Sequence, residues 1–531
     1  MRDVETLVLL TAAMVGLVLL SRRLGKPFPI VLVLGGLLLG FVPGIRRIEL
    51  RSEDVFLIFL PPLLFMAAFT TSWRDFKDNL LPILRLAVGL VLVTAGGVAL
   101  VSHALIPGLS WPAAFVLGAI VAPTDSVATE AIAERLMLPR RIMVILQGES
   151  LVNDATAIVI FRAALGVALG GTLSTGGALQ SFFLVSTGGV AIGLSVAWLV
   201  GKLRHYLPDD APVENTVSLL TPLLAYLPAE SLHVSGVLAV VTCGIYLGRQ
   251  DPRLVSSRTR LQGVVLWRML TFLLNGLLFL LVGLQLRQIV HALPPETPLK
   301  ALIVIALVVS LTVIAIRMTW VFLVAALSRL IRAVTSTHNP FASWQQVTII
   351  AWSGMRGGIS LAVALSIPPT FPNRAALLFV TFAVILVTLI AQGLSLPHII
   401  CALKIVSDPQ EHAEELQARA LTVDAAIERL DALSDEEGIP AKIHAEVRRS
   451  YIALHERLSS KAQASNTGEP LAEDVTAYLR LKQEVVNAER ETIVLLRDNS
   501  EISDETLRSI QFDIDMEEAR IQAIESQEKS S

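Results

Sequence analysis

The sequence predicts an all-α polytopic membrane protein of about 13 transmembrane helices, followed by a C-terminal cytoplasmic helical domain. Three observations carry that prediction. Of 531 residues, 53% are hydrophobic and only 17% charged, with a mean hydropathy of +0.64; a soluble domain of this size exposes more charge. Apolar runs near 20 residues, the length that crosses a bilayer, recur as far as residue 403. The composition then reverses. Residues 1–407 hold 18 acidic and 29 basic side chains, a net +11, whereas residues 408–531 hold 28 and 14, a net −14, and the two sum to the −3 of the chain.

Read in order, the apolar segments fall at 4–21, 28–45, 54–72, 80–105, 111–131, 142–169, 180–201, 214–229, 232–248, 262–286, 299–328, 344–367 and 375–403. The first reads as a span and not a cleavable leader, because Arg22, Arg23 and Lys26 follow it and no small-residue cleavage site does. Basic residues concentrate in alternate loops, among them Arg135, Arg140, Arg141, Lys202, Arg204, Arg249, Arg253, Arg258 and Arg260. That bias predicts an outside N-terminus and a cytoplasmic C-terminus in the inner (plasma) membrane. Arg46, Arg47 and Arg51, on the predicted outer side, run against it. Cys243 and Cys401 lie far apart in or beside apolar stretches, giving neither a disulfide framework nor a metal site. The expected partner is the lipid bilayer, with no cofactor and no nucleic acid.

After Lys404 the segments Glu411–Ala432, Ala441–Leu458, Leu471–Leu496 and Asp504–Ile524 place apolar residues at helical spacing among charges. Breaks fall at Gly438-Ile439-Pro440 and Asn466–Pro470. A mostly helical, regulatory or dimer-stabilising tail from 408 to 531 is the expectation, and a disordered acidic tail the alternative. Its charge, opposite to that of the membrane part, favours docking on the cytoplasmic loops or binding of a regulatory ligand.

Ionisable groups inside the apolar part mark where function lies, since a charge at the bilayer centre costs about 2.5 kcal/mol or more. Between Asp78 and Asp209 the carboxylates are Asp125, Glu130, Glu134, Glu149 and Asp154. Glu130 and Glu134 fall at a helix end beside Arg135; the other three sit deeper. In Ala122-Pro123-Thr124-Asp125-Ser126 the proline removes a backbone donor and breaks or kinks its helix. Backbone groups freed in lipid must find partners or line a wet cavity, and Thr124 and Asp125 supply oxygens there. In Gln147-Gly148-Glu149-Ser150-Leu151-Val152-Asn153-Asp154, Glu149 and Asn153 share a helix face with Asp154 at its edge. The Asn153 amide oxygen and the Asp154 carboxylate suit a hard cation such as Na⁺. A carboxylate withdrawn from water also takes a proton more readily, and one side chain cannot hold both well. A helix-packing polar cluster is the plainer reading of the same residues.

A third stretch, Trp352-Ser353-Gly354-Met355-Arg356-Gly357-Gly358-Ile359-Ser360, places an arginine among glycines that loosen the helix. Glu149 is the expected partner of Arg356, forming a structural ion pair. Arg317, also deep, has no partner identifiable in the sequence, and snorkelling to the interface is its expected fate.

In this order and spacing the motifs resemble the NhaP/NHE branch of the cation:proton antiporters, the monovalent cation:proton antiporter 1 family. Asp54-Val55-Phe56-Leu57-Ile58-Phe59-Leu60-Pro61-Pro62-Leu63-Leu64 is similar to that family's proline-paired third span, and the shared motifs run to Ala391-Gln392-Gly393-Leu394. The resemblance implies a homodimer whose protomers have inverted repeats and two broken helices that cross in a six-helix core, the core moving like an elevator. It implies that Asp154 binds Na⁺ and exchanges it for H⁺, with Asp125 a further Na⁺ ligand and Thr124, Ser150 and Asn153 as neighbours. It also implies the stabilising pair Glu149–Arg356 and, from Asn beside Asp, electroneutral exchange. Ser126 departs from the family, where proline often follows the aspartate.

The expected function is therefore Na⁺ (or Li⁺)/H⁺ antiport, with K⁺/H⁺ antiport by the same machinery as the alternative. A sodium-coupled organic anion symporter would need a cationic pocket, which the Asp125/Asp154 cluster opposes. A channel would need no proton counter-flow. An enzyme is not expected: neither an HExxH nor a GxSxG motif occurs, and His103, His233 and His291 fall near span ends.

Overall fold

The computed structural model describes residues 2–42, 55–136, 138–170, 175–206, 210–294, 298–335, 343–404 and 409–433, with shorter stretches between 442 and 518. Arg46, Arg47, Arg51 and Asp54, and much of the three later tail segments, lie outside the described residues, as do the side chains of Glu134 and Arg135. Among the described residues the fold is all helical. The chain divides into two compact units, Met1–Ile405 and Val406–Ser531.

The first unit opens with α1 (Arg2–Leu24) and α2 (Phe28–Gly40). Next comes α3, π-wound over Val55–Phe59 and α-helical over Leu60–Thr70. The short α4 (Trp73–Asp78) leads into α5 (Leu80–Leu105), which carries a π segment at Arg85–Leu90. Then follow α6 (Trp111–Val121), α7 (Ser126–Leu136), α8 (Arg140–Ala168), α9 (Thr175–Tyr206), α10 (Ala211–Ser231) and α11 (Gly236–Leu254). The unit closes with α12 (Ser257–His291), α13 (Leu299–Thr335), α14 (Trp344–Trp352), α15 (Gly358–Leu365) and α16 (Arg374–Leu403).

The sequence starts these helices with serine. Ser72, Ser110, Ser235, Ser256 and Ser343 each accept a hydrogen bond from the backbone N–H three residues on, capping α4, α6, α11, α12 and α14. The Trp320 indole donates to the Arg85 carbonyl (3.1 Å) at the start of the π segment of α5, where the regular ladder is interrupted. At the far end, Lys404 adopts a left-handed conformation (φ 48°, ψ 45°) that terminates α16 where the composition turns polar.

Eight stretches among the described residues are long and apolar enough to cross a membrane: Glu5–Leu24, Leu80–Leu105, Trp111–Ile132, Arg140–Ala168, Phe183–Tyr206, Thr259–His291, Leu299–Leu330 and Arg374–Leu403. Phe28–Gly40 and Phe56–Thr70 are shorter apolar helices. The segments expected at 214–229 and 232–248 are helical as α10 and α11 but are not among the eight; α10 contains Pro222 and Pro228, and charge gathers at the end of α11.

Packing repeats between the two halves. Helix α5 packs on α6 as α13 packs on α14, and α6 and α7 pack on α8 as α14 and α15 pack on α16. The pair α3–α11 answers to the pair α12–α2, and α5 meets its counterpart α13. The α2–α12 crossing shows why small residues sit there. A side chain at Gly36 would meet the Leu280 carbonyl at 2.2 Å, and one at Gly283 would meet the Val33 carbonyl at 2.2 Å. Such backbone-to-backbone approach lets dispersion hold helices together in lipid.

In the second unit, α17 (Pro409–Ala432) is joined by Arg448 on Asp431 (2.6 Å) and by His455 on Asp424 (2.8 Å). The Arg448 hydrogen bonds hold the Asp431 carboxyl below its ordinary range. Val423, Val486 and Ile514, from three of the predicted tail segments, are buried.

The glycine crossing is directly testable. Gly283→Val should lower the melting temperature in detergent well below that of Gly16→Val, whose added side chain meets nothing within 4 Å. Equal melting temperatures would show that α2 and α12 do not approach as described.

Candidate ion-binding site

Both predicted interruptions are present, and they meet. Helices α6 and α7 are separated by the non-helical Ala122–Asp125, and α14 and α15 by Ser353–Gly357. The Asp125 N–H donates to the Met355 carbonyl (2.9 Å), so each break supplies what the other lacks. The Arg356 N–H is taken by Thr388 Oγ1 of α16 (3.2 Å). Asp125 also caps α7, its Oδ1 accepting from the Val127 N–H (2.9 Å). Its Oδ2 lies where a Gly357 side chain would begin, 1.7 Å from that Cβ position, so only glycine at 357 leaves the carboxylate its place.

Helix α8 holds the first break through its polar face. Ser150 Oγ donates to the Thr124 carbonyl (3.2 Å), and Asn153 Nδ2 donates to Thr124 Oγ1 (2.9 Å). Thr124 Oγ1 in turn donates to Glu149 Oε1 (3.0 Å). Because the threonine proton goes to Glu149, its oxygen can only accept from Asn153, which fixes the amide orientation. Asn153 Oδ1 is then the free end: it is buried and, among the described residues, has no hydrogen-bond partner.

Glu149 pairs with Arg317, not with Arg356 as the sequence leads one to expect. Arg317 Nη1 donates to Oε1 and Nη2 to Oε2 (2.9 Å), a two-pronged contact between side chains 1% and 2% exposed. Arg317 therefore does not snorkel. Its Nε and Nη2 also bond the Ile350 carbonyl (3.2 and 2.9 Å), one of the last carbonyls of α14, where a cation suits the half-helix dipole. The route explains the choice of partner. Arg317 runs past Gly354, whose missing side chain would lie 2.3 Å from Arg317 Cδ. Arg356 is fully buried; among the described residues none of Nε, Nη1 and Nη2 has a hydrogen-bond partner, and Glu149 and Arg317 lie within its electrostatic reach.

Asp154 is 3% exposed. Among the described residues its carboxylate has no hydrogen bond or ion pair, and Asp125 lies within electrostatic reach. The crossing thus gathers Thr124, Asp125, Glu149, Ser150, Asn153 and Arg356, and adds Arg317, the Met355 carbonyl and Thr388. Of the additions, only Arg317 left a signal in the sequence: an arginine deep in a span needs a counter-charge. Among the described residues, buried oxygens near the breaks without a hydrogen-bond partner include Asn153 Oδ1, Ser353 Oγ and Gln392 Oε1, and the neighbouring Asp154 carboxylate is a group that can take either a cation or a proton.

A cavity of about 510 Å³ reaches Ile158, one helical turn along α8 from Asp154, and is bounded by Phe56, Tyr226 and Val363. Arg162 and Glu230, also in its wall, form an ion pair at 2.8 Å. Among the described residues no group of three or more His, Cys, Asp or Glu side chains could hold a metal ion.

Comparison with known proteins adds a second line. The family model described as "Sodium/hydrogen exchanger, transmembrane" matches residues 9–402. An uncharacterised Na⁺/H⁺ exchanger of Mycobacterium tuberculosis is 37% identical over 524 residues, 97% of this chain and 95% of that protein. The Na⁺/H⁺ antiporter ApNhaP of Aphanothece halophytica is 33% identical over 452 residues, 84% of this chain and 83% of its own. A sodium, potassium, lithium and rubidium/H⁺ antiporter of Bacillus subtilis is 34% identical over 387 residues, 70% of this chain and 57% of its own. In fold, the chain resembles the sodium proton antiporter MjNhaP1 of Methanocaldococcus jannaschii, with a TM-score of 0.59 and 21% identity over 76% of this chain and 99% of that one.

The ion pair gives a test. Breaking a buried pair costs roughly 3–5 kcal/mol because the survivor stays charged and unpaired. Arg317→Met should therefore lower the melting temperature sharply, and Arg317→Met with Glu149→Gln should recover most of it. An unchanged melting temperature in Arg317→Met would refute the pairing.

Proposed function

This chain belongs to the sodium/hydrogen exchanger family, and we propose that it exchanges Na⁺ or Li⁺ for H⁺ by competition at the Asp154 carboxylate. The observation that supports this most directly is the state of that carboxylate: buried and, among the described residues, without a hydrogen bond or ion pair, on the helical turn that also carries the donor-free Asn153 Oδ1. A desolvated carboxylate in this setting is neutralised either by a proton or by a cation. A cation shared by Asp154 and Asn153 Oδ1 occupies the lone pair that the proton needs, so loading one releases the other.

The remaining site residues act through these two. Thr124 and Ser150 tie the first break to α8, and Thr124 sets the Asn153 amide so that its oxygen is the end left for the ion. Asp125, the second candidate Na⁺ ligand, keeps Oδ2 off its cap contact. Glu149 and Arg317 neutralise each other and hold α8, α13 and α14 around the crossing. Since Asn153 is neutral, exchange at Asp154 replaces one positive charge by another, which favours electroneutral turnover. The cavity along α8 supplies an approach to within a helical turn of the carboxylate, and alternating access would move that approach to the other face.

K⁺/H⁺ exchange by the same machinery is the second reading, and the breadth of cations named for the Bacillus subtilis relative favours keeping it. Oxygen ligands accept either ion, and cavity size decides between them. The proposal extends to a homodimer in the inner membrane, as the family resemblance implies, and to an outside N-terminus, supported by the basic bias of the loops. It extends also to a cytoplasmic, regulatory role for residues 408–531, supported by their net −14.

The experiment is dequenching of a pH dye in vesicles on addition of Na⁺, Li⁺ or K⁺. The wild type should respond to Na⁺ and Li⁺, and Asp154→Asn should respond to none. A response to K⁺ alone would overturn the Na⁺ assignment, and continued exchange in Asp154→Asn would overturn the mechanism.

A further inference from the structure

Two turns along α8 from Asp154, the cavity that approaches the site carries an ion pair that the exchange described above leaves without a task. Asp154, Ile158 and Arg162 follow one another at four-residue spacing, so they share one face of α8. Arg162 Nη2 donates to Glu230 Oε2 of α10 at 2.8 Å. Arg162 and Glu230 are the two charged residues among those lining the cavity, and most of the others, Phe56, Leu165, Val185 and Val363 among them, are apolar. Apolar contact is non-directional, so such walls can slide past one another. A charge-assisted hydrogen bond fixes both a distance and a direction.

The pair joins two groups of helices. Helix α8 packs chiefly on α5 and α6, and α10 on α9 and α11. Glu230 is seated on its own side. A side chain at Gly236, the first residue of α11, would lie 3.0 Å from Glu230 Oε1 and 2.7 Å from atoms of the Tyr226 ring. The carboxylate therefore rests at the start of α11, where negative charge suits the helix dipole, and its Oε2 is the oxygen that meets Arg162. The contrast with Glu149–Arg317 shows what kind of bond this is. That pair is almost wholly buried, and neither partner can leave without stranding a charge. Here the side chains are 48% and 30% exposed at the cavity wall, so each can be solvated when they part. The first pair is permanent and the second reversible.

We propose that Arg162–Glu230 is a latch: closed, it holds the Asp154 helix to α10 in the arrangement in which this cavity approaches the site, and it opens when the approach passes to the other face. This inference rests on the alternating access proposed above. Both are positioning residues, acting on the share of one arrangement and touching neither cation nor transferred proton. An exposed pair shifts an equilibrium by up to about fivefold. Losing it therefore reduces the cavity-open share without abolishing it, and weakens the apparent cation affinity from that side in proportion.

The test reads the cavity itself. Ser366, in its wall, is replaced by cysteine in the full-length protein carrying Cys401→Ser, since Cys401 is exposed and Cys243 is buried. The rate of labelling by a neutral, water-soluble maleimide in detergent then follows the open share. Arg162→Gln and Glu230→Gln should each slow labelling roughly two- to fivefold, and the double variant should be no slower than either single one. Arg162→Lys should stay near the parent rate. The two neutralisations remove opposite charges, so an effect of local charge on the thiol would move them in opposite directions. Opposite, additive or absent shifts overturn the latch, as do faster labelling in the Gln variants and an Arg162→Lys variant slowed as much as Arg162→Gln. In vesicles the parent reports exchange through the pH dye. A parent that answers to no cation would refute the exchange reading, a separate failure, while the labelling series still decides the latch.

Discussion

A polar backbone group exposed to hydrocarbon has no water to turn to, and this membrane unit is arranged around two places where helices stop short inside it. The breaks fall at Pro123 and across Gly354 and Gly357, and the interruptions are tolerable because they lie against each other. The bond from the Asp125 N–H to the Met355 carbonyl joins them directly. Around that bond, α8 contributes Ser150 and Asn153, α13 contributes Arg317 and α16 contributes Thr388. The backbone ends that need partners thus recruit the side chains of the crossing, and satisfying them leaves Asn153 Oδ1 without a donor.

The two arginines show how the same residue type divides into different tasks by its surroundings. Arg317 has every branch of its guanidinium committed, to a carboxylate on one side and to a half-helix end on the other. Arg356 has none committed. In a medium that magnifies electrostatics, the first behaves as a bolt, while the second reaches Glu149 and Arg317 only through space.

Much of this was readable in the chain before any coordinates. The apolar segments were legible because each is near the length of a span and is bounded by charge, and the residues of the crossing were legible because ionisable side chains inside such segments are few. Pro123 announced its break through backbone chemistry that no neighbour can repair. What could not be read was pairing. Glu149 had two buried arginines to choose from, and the choice turned on a passage beside Gly354 that exists only once α13 and α14 are packed. The orientation of the Asn153 amide is hidden for the same reason: it follows from where the Thr124 proton goes. The π segments in α3 and α5 left no mark either, since their composition is that of an ordinary apolar helix.

The central claim is that one carboxyl group loses its proton when a cation arrives. Infrared difference spectroscopy of the protein with and without Na⁺ reads this at the bond itself. The account predicts that Na⁺ removes a protonated-carboxyl stretch and that this difference band is missing in Asp154→Asn. A band that persists in that variant, or a wild type in which Na⁺ leaves the carboxyl stretch untouched, would contradict it.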